Sequence, residues 1–273
     1  METRNWTHVE TSDGVRTLRL EGWKHFSDLI ETEILAAARL PGHSFIWRGQ
    51  RRSDWPLSST IDRLFGRLGF LAAGPEALEE KSKTQLDAFR YAARGRRGTS
   101  PTKLSENELW ALGQHFGLAT PLLDWTRSPF AAAYFAFEEL ASDPTAFRTV
   151  YALNKAAVLS AGEQINNGPS VEKGRPQLIE IVDPLYDENQ RLVSQGGCFT
   201  RAPIGTSIEQ WVANFFENSN ESVLIKIEIP DAGRLDCLRT LNLMNINHLS
   251  LFPDLIGASR FTNLRFELEG DDE

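Results

Sequence analysis

Strand-like stretches stand on both sides of a helical middle, and this arrangement limits the fold of the chain more than any other feature. Residues 44–47 form a short, mostly apolar stretch and run directly into Arg48-Gly49-Gln50. Far downstream, 149–153, 178–182, 198–200 and 223–229 have strand character, and the last places Val223, Ile225, Ile227 and Ile229 on alternate positions, the period of a strand with one buried face. Residues 120–125 read as a further strand, and 15–20 alternate as a strand tolerates. Distant segments of this kind can share a sheet around one core, and 273 residues with 41% hydrophobic and 24% charged content suffice to build it. The expected fold is α+β: a single domain with a central split mixed or antiparallel sheet, in two halves, surrounded by helices.

The helices announce themselves by spacing and by caps. Phe26, Leu29, Ile30, Ile34, Leu35 and Ala38 predict a helix over 26–40 that Pro41-Gly42 ends. A second is expected over 77–91, and Ser105 with Glu108 forms a capping box for a third. Ser128-Pro129 opens a helix of the cap-then-proline type, through the alanine and aromatic run 130–137. Helical stripes recur at Ile208, Trp211, Val212 and Phe215, and at Leu235, Leu238 and Leu241. The glycine- and asparagine-rich stretch 161–176 is expected to be a mobile flap.

Composition removes some function classes. A net charge of -8 argues against a generally basic nucleic-acid sleeve, which needs a positive field. The basic run from Arg90 to Lys103 is a solvated loop or a phosphate-seeking one. Cys198 and Cys237 have no metal-ligand spacing and form no disulfide framework, and they read as inert buried thiols. The amino terminus lacks a signal-type pattern, and no stretch nears the roughly 20 apolar residues of a membrane span. The chain is expected to be cytoplasmic, with no membrane partner.

An arginine at a strand end followed by glycine suits a phosphate or carboxylate ligand, because the guanidinium is a planar multi-donor fork and glycine permits close approach. Arg48-Gly49 fits this, and Gln50 adds an amide; the alternative is an arginine paired to a core carboxylate. Trp55-Pro56-Leu57 follows, and then the continuous segment Gln114-His115-Phe116-Gly117-Leu118-Ala119-Thr120-Pro121-Leu122-Leu123-Asp124-Trp125-Thr126-Arg127-Ser128-Pro129. With Trp47-Arg48-Gly49, this segment resembles the FRG domain, a family named for an aromatic-Arg-Gly motif. The chain departs from the family pattern at Ala119, where proline is usual, and at Pro121, where arginine is usual. The likeness continues through 191–200 and 251–255, so it spans roughly 25–260, with a lead-in at 1–24 and a tail at 261–273.

His115 is a base or ligand donor, or a hydrogen-bonded structural residue; Asp124 orients it or caps backbone N–H groups. The order of motifs also resembles ADP-ribosyltransferases of the Arg, Ser-Thr-Ser, Glu type, and that resemblance implies their fold and NAD as substrate. Arg48 then takes the place of the dinucleotide-gripping arginine, and Thr126-Arg127-Ser128 that of the Ser-Thr-Ser element. Gln195 stands in chain order where the final glutamate belongs, with Asp187 and Glu188 in reserve. On this reading Arg48, Thr126, Ser128 and Gln195 carry the chemistry, while Gly49, Gln50, Trp55, His115 and Asp124 bind NAD. Three functions stay open: an NAD-cleaving enzyme or ADP-ribosyltransferase, such as a bacterial defence or toxin effector acting on a protein or nucleic-acid acceptor; a non-catalytic nucleotide-binding or interaction module; and a nucleic-acid-binding protein using 90–103.

Overall fold

The computed structural model describes residues 5–36, 44–98, 101–140, 145–167, 177–184 and 190–269. Its strands are β1 (Trp6–Ser12), β2 (Val15–Leu20), β3 (Phe45–Gln50), β4 (Leu122–Thr126), β5 (Phe147–Asn154), β6 (Glu180–Val182), β7 (Gly197–Arg201) and β8 (Leu224–Pro230). The helices that precede β5 are α1 (Phe26–Leu29, continued by a π-helical stretch Ile30–Leu35), α2 (Thr60–Arg67), α3 (Pro75–Ala92), α4 (Glu106–His115) and α5 (Pro129–Phe137). After it come α6 (Lys155–Asn167), α7 (Gln190–Ser194), α8 (Ile208–Phe215), α9 (Arg234–Leu243), α10 (His248–Leu251) and α11 (Leu255–Glu269).

All eight strands form one sheet in the order β1-β2-β8-β5-β3-β4-β7-β6. Only β2 and β8 run parallel; every other neighbouring pair is antiparallel. The fold is thus α+β with a mixed sheet, but the sheet is not divided into two halves. Its narrowest junction lies between β3 and β4, where the ladder is the single pair Trp47↔Thr126. Beyond that pair the Arg48 side chain, not a strand N–H, occupies the Asp124 carbonyl, which keeps the two flanks in one sheet.

The alternation of β8 shows how the sheet is covered. Ile225, Ile227 and Ile229 join Trp47, Val150 and Ala152 on one face, beneath α1, α5 and α9. Leu224 faces the other way with Ile46, Leu153 and Trp125, against Val158 of α6 and Trp211 of α8. A third cluster gathers Leu122 and Phe199 with α2, α3 and α4. Helix α5 can lie directly on β3 because both surfaces are small. A Cβ on Gly49 would stand 1.8 Å from the Ala132 carbonyl oxygen and 2.6 Å from the Ala136 nitrogen.

Several local expectations need correction. Strand β1 carries no readable pattern because only Trp6 of it is buried. Residues 161–167 belong to α6, not to a flap, and 168–176 lie outside the described residues, as do the expected helix end at Pro41-Gly42 and residues 37–40 before it. Helix α11 was not legible, since its apolar residues form no single stripe and Leu264 is its buried hydrophobic residue. Helix α2 was legible in principle: Ser59 and Asp62 form a capping box like that of Ser105 and Glu108. Among the described residues no helix is long and apolar enough to cross a membrane.

Gly49→Ala is expected to destabilise the fold by about 3 kcal/mol, at the upper end of overpacking penalties, because both obstructing atoms are helix backbone. Urea unfolding measures this; a loss below about 1 kcal/mol would mean that α5 does not seat on β3 as described.

Candidate functional site

Pleating places Ile46, Arg48 and Gln50 on the sheet face that α6 and α8 cover. The ladder then aligns two polar rows across this face. Arg48 pairs with Tyr151 and Tyr151 with Lys226; Gln50 pairs with Thr149, Thr149 with Glu228, and Glu228 with Arg19. Residues 51–57 lie against these rows. Lys226 Nζ donates to the Ser53 carbonyl at 2.8 Å, Gln50 Nε2 donates to the Trp55 carbonyl, and the Leu57 N–H is shared by both Glu209 carboxylate oxygens at 2.9 and 3.0 Å. Trp55 itself is 42% exposed, with the Arg51 guanidinium over its ring.

Arg48 occupies the slit between β3 and β4. Its Nη1 donates to the Asp124 carbonyl at 2.7 Å and lies 3.8 Å from Asp124 Oδ2. Its Nε is buried without a hydrogen-bond partner, as is the Thr149 hydroxyl in the neighbouring row, yet 21% of the arginine side chain remains accessible. Burial pushes the Arg48 pKa down, with Asp124 opposing and Arg63 reinforcing; a guanidinium nevertheless stays charged. Burial also pushes the Tyr151 phenol up, aided by Glu209 and Glu228, so it remains neutral. Asp124, on the far side of the slit, accepts from Gln114 Nε2 at 2.8 Å, and Gln114 Oε1 accepts from the Thr120 hydroxyl.

Thr126, Ser128 and Gln195 form a separate group. Thr126 is the ladder partner of Trp47, so its side chain leaves the sheet on the face opposite to that of Arg48. Its hydroxyl donates to the Gln195 carbonyl at 2.6 Å and accepts from the Ser128 N–H at 3.1 Å. Ser128 Oγ accepts from the Ala131 N–H at 3.2 Å and caps α5, while Gln195 Nε2 donates to the Leu251 carbonyl at 3.2 Å. Nearby, Arg191 pairs with Asp254. His115 sits in the field of that pair, and burial, then Arg191, push its pKa down. The stretches 114–128, 191–200 and 251–255 therefore meet in space. Asp187 and Glu188 lie outside the described residues.

Tyr151, Thr149, Lys226, Glu228 and Glu209 were not singled out from the sequence. Lys226 and Glu228 alternate with isoleucines and look like a solvated strand face; Tyr151 looks like core. The one available signal was that two charges interrupt an otherwise apolar strand. The basic segment bonds to itself: Arg94 donates to the Tyr91 carbonyl, Arg96 to that of Ala92 and Arg97 to that of Thr102. Among the described residues no group of three or more His, Cys, Asp or Glu could hold a metal ion. Burial pushes the Cys198 thiol up to about 11, and that of Cys237 up as well.

Burial raises the Glu209 pKa above its ordinary 4.5. Between the two values the folded chain holds a proton that the unfolded chain has lost, so stability falls as pH rises through this window. Glu209→Gln keeps an acceptor for the Leu57 N–H and is expected to flatten that fall. Urea unfolding at points from about pH 4 to about pH 8 measures it, and an unchanged slope would assign the titration to another group.

No curated protein and no protein of known structure matches the chain. The FRG domain family model matches residues 43–144, from just before β3 to just beyond α5. That segment holds Arg48, Gly49, Gln50, Trp55, Gln114, His115, Asp124, Thr126 and Ser128 and excludes Gln195. Over that segment the chain is similar to the FRG domain family.

Proposed function

We propose that the Arg48 side of the sheet binds an anionic ligand of the nucleotide class, NAD foremost, and that ADP-ribosyl transfer is the reaction such binding serves. The observation that carries this reading is the unpartnered, buried Nε of an arginine whose side chain is partly accessible, with the unpartnered hydroxyl of Thr149 in the neighbouring row. An unsatisfied buried donor is destabilising by about 1–3 kcal/mol, and a phosphate or ribose oxygen supplies the missing acceptor. Trp55, whose carbonyl accepts from Gln50, adds an exposed aromatic surface, suited to stacking on a base or nicotinamide ring. Transfer also needs negative charge near an oxocarbenium-like centre. Gln195 cannot supply it, but the Glu209 carboxylate lies in the field of Arg48.

A second reading, binding without turnover, is favoured by the group on the opposite face. The Thr126 hydroxyl both donates and accepts within the protein, and the Gln195 amide is held by Leu251. Side chains engaged in this way do not orient a ribose unless that joint opens.

NAD at a hundredfold excess over its Kd is expected to stabilise the protein by about 2.7 kcal/mol, read as a rise in Tm. Arg48→Gln should remove the rise while its own Tm in the absence of ligand reports any loss of folding. Release of nicotinamide supports transfer; a rise in Tm without release supports the binding module. If NAD, ADP-ribose and ATP all leave Tm unchanged, the Arg48 proposal is wrong.

A further inference from the structure

A cavity of ≈ 400 Å³ lies beneath the carboxy-terminal helix α11, away from the Arg48 rows. Leu238 of α9 and Phe261 and Leu264 of α11 give it an apolar wall, Tyr134 of α5 contributes a phenol, and Arg239 and Arg265 stand at its lining, where no carboxylate occurs among the described residues. Its volume falls within the range of small-molecule sites, and its apolar walls with a few polar groups match their usual make-up.

The polar groups are already oriented. Arg239 Nε and Nη2 both donate to the Leu268 carbonyl, at 3.2 and 2.9 Å, which fixes the guanidinium plane and leaves Nη1 without a partner among the described residues. Tyr134 bonds to the buried His248 through its hydroxyl, and burial pushes its pKa up, so the wall it forms carries no charge. The Arg239 guanidinium beside the apolar wall selects a ligand with an anionic head and an apolar body.

We propose that this cavity binds a single amphipathic carboxylate, its apolar chain among Leu238, Phe261 and Leu264 and its carboxylate on Arg239. The site is independent of the Arg48 reading. It does share a helix with that site, because Tyr134 lies on α5 between Ala132 and Ala136, whose backbone seats Gly49.

Dodecanoate and dodecanol, both below micelle-forming concentration, serve as probes in isothermal titration calorimetry with the full chain. The expected result is one dodecanoate per chain, with the alcohol weaker by about tenfold or more, as the loss of a charge-assisted hydrogen bond requires. Arg239→Gln should bring dodecanoate down to the level of the alcohol. Leu264→Trp should fill the cavity and abolish binding of both; Leu238→Trp repeats the test from the opposite wall should the first variant not fold by circular dichroism. Equal affinities for the two probes, binding unchanged in the folded tryptophan variant, or no saturable binding would each overturn the proposal.

Discussion

Between β3 and β4 the ladder narrows to Trp47↔Thr126, and the next available carbonyl on β4, that of Asp124, is taken by the Arg48 guanidinium. Both flanks of the sheet depend on this junction. On one side β5 pairs with β3 and β8 with β5; on the other, β7 pairs with β4 and β6 with β7. An open edge at the middle of a sheet would leave backbone groups unsatisfied. A long side chain with several donors can span a gap that a strand N–H cannot reach. The residue after it, Gly49, lets α5 close over the opposite face at a distance no side chain would allow.

The same arginine is therefore both a structural bridge and the group with donors to spare. It is surrounded by charges of both signs, with Asp124 and Glu209 partly compensating and Arg63 opposing. Buried ionic groups of this kind contribute little net stability but are strongly destabilising when left unpaired. Their cost is met here by bonds to the 51–57 segment, through Ser53, Trp55 and Leu57. That segment is thus tied down by the polar rows themselves, and any ligand reaching Arg48 would act on the bonds that hold it.

The second centre is built from the stretches 114–128, 191–200 and 251–255. Thr126 binds the carbonyl of Gln195, Gln195 binds that of Leu251, and Arg191 pairs with Asp254 beside His115. This chain of contacts fastens α7 and α10 to the end of β4 and the start of α5. Hydroxyl and amide groups that chain order alone would assign to substrate are engaged in joining elements. Separating the two uses requires knowing which side of the sheet each side chain leaves from, and the pairing of Thr126 with Trp47 decides that.

The sequence by itself determined the local pieces: the capped starts of α4 and α5, the alternation of β8, the strand that leads into Arg48 and the α+β class; Arg48 itself lies inside β3, not at its end. Those features rest on backbone dihedrals, caps and side-chain period, which are encoded within a few residues. Tertiary structure alone decided that the strands form a single sheet, that the mostly exposed β1 joins it, and that Glu209 reaches the Leu57 N–H from 152 residues away. It also decided that Tyr151 and Lys226 share a row with Arg48. Lys226 and Glu228 read in isolation as a solvated face; only the arrival of 51–57 and α8 over that face turns them into a buried polar site. Burial is a property of what packs on a residue from elsewhere in the chain, and no local pattern specifies it.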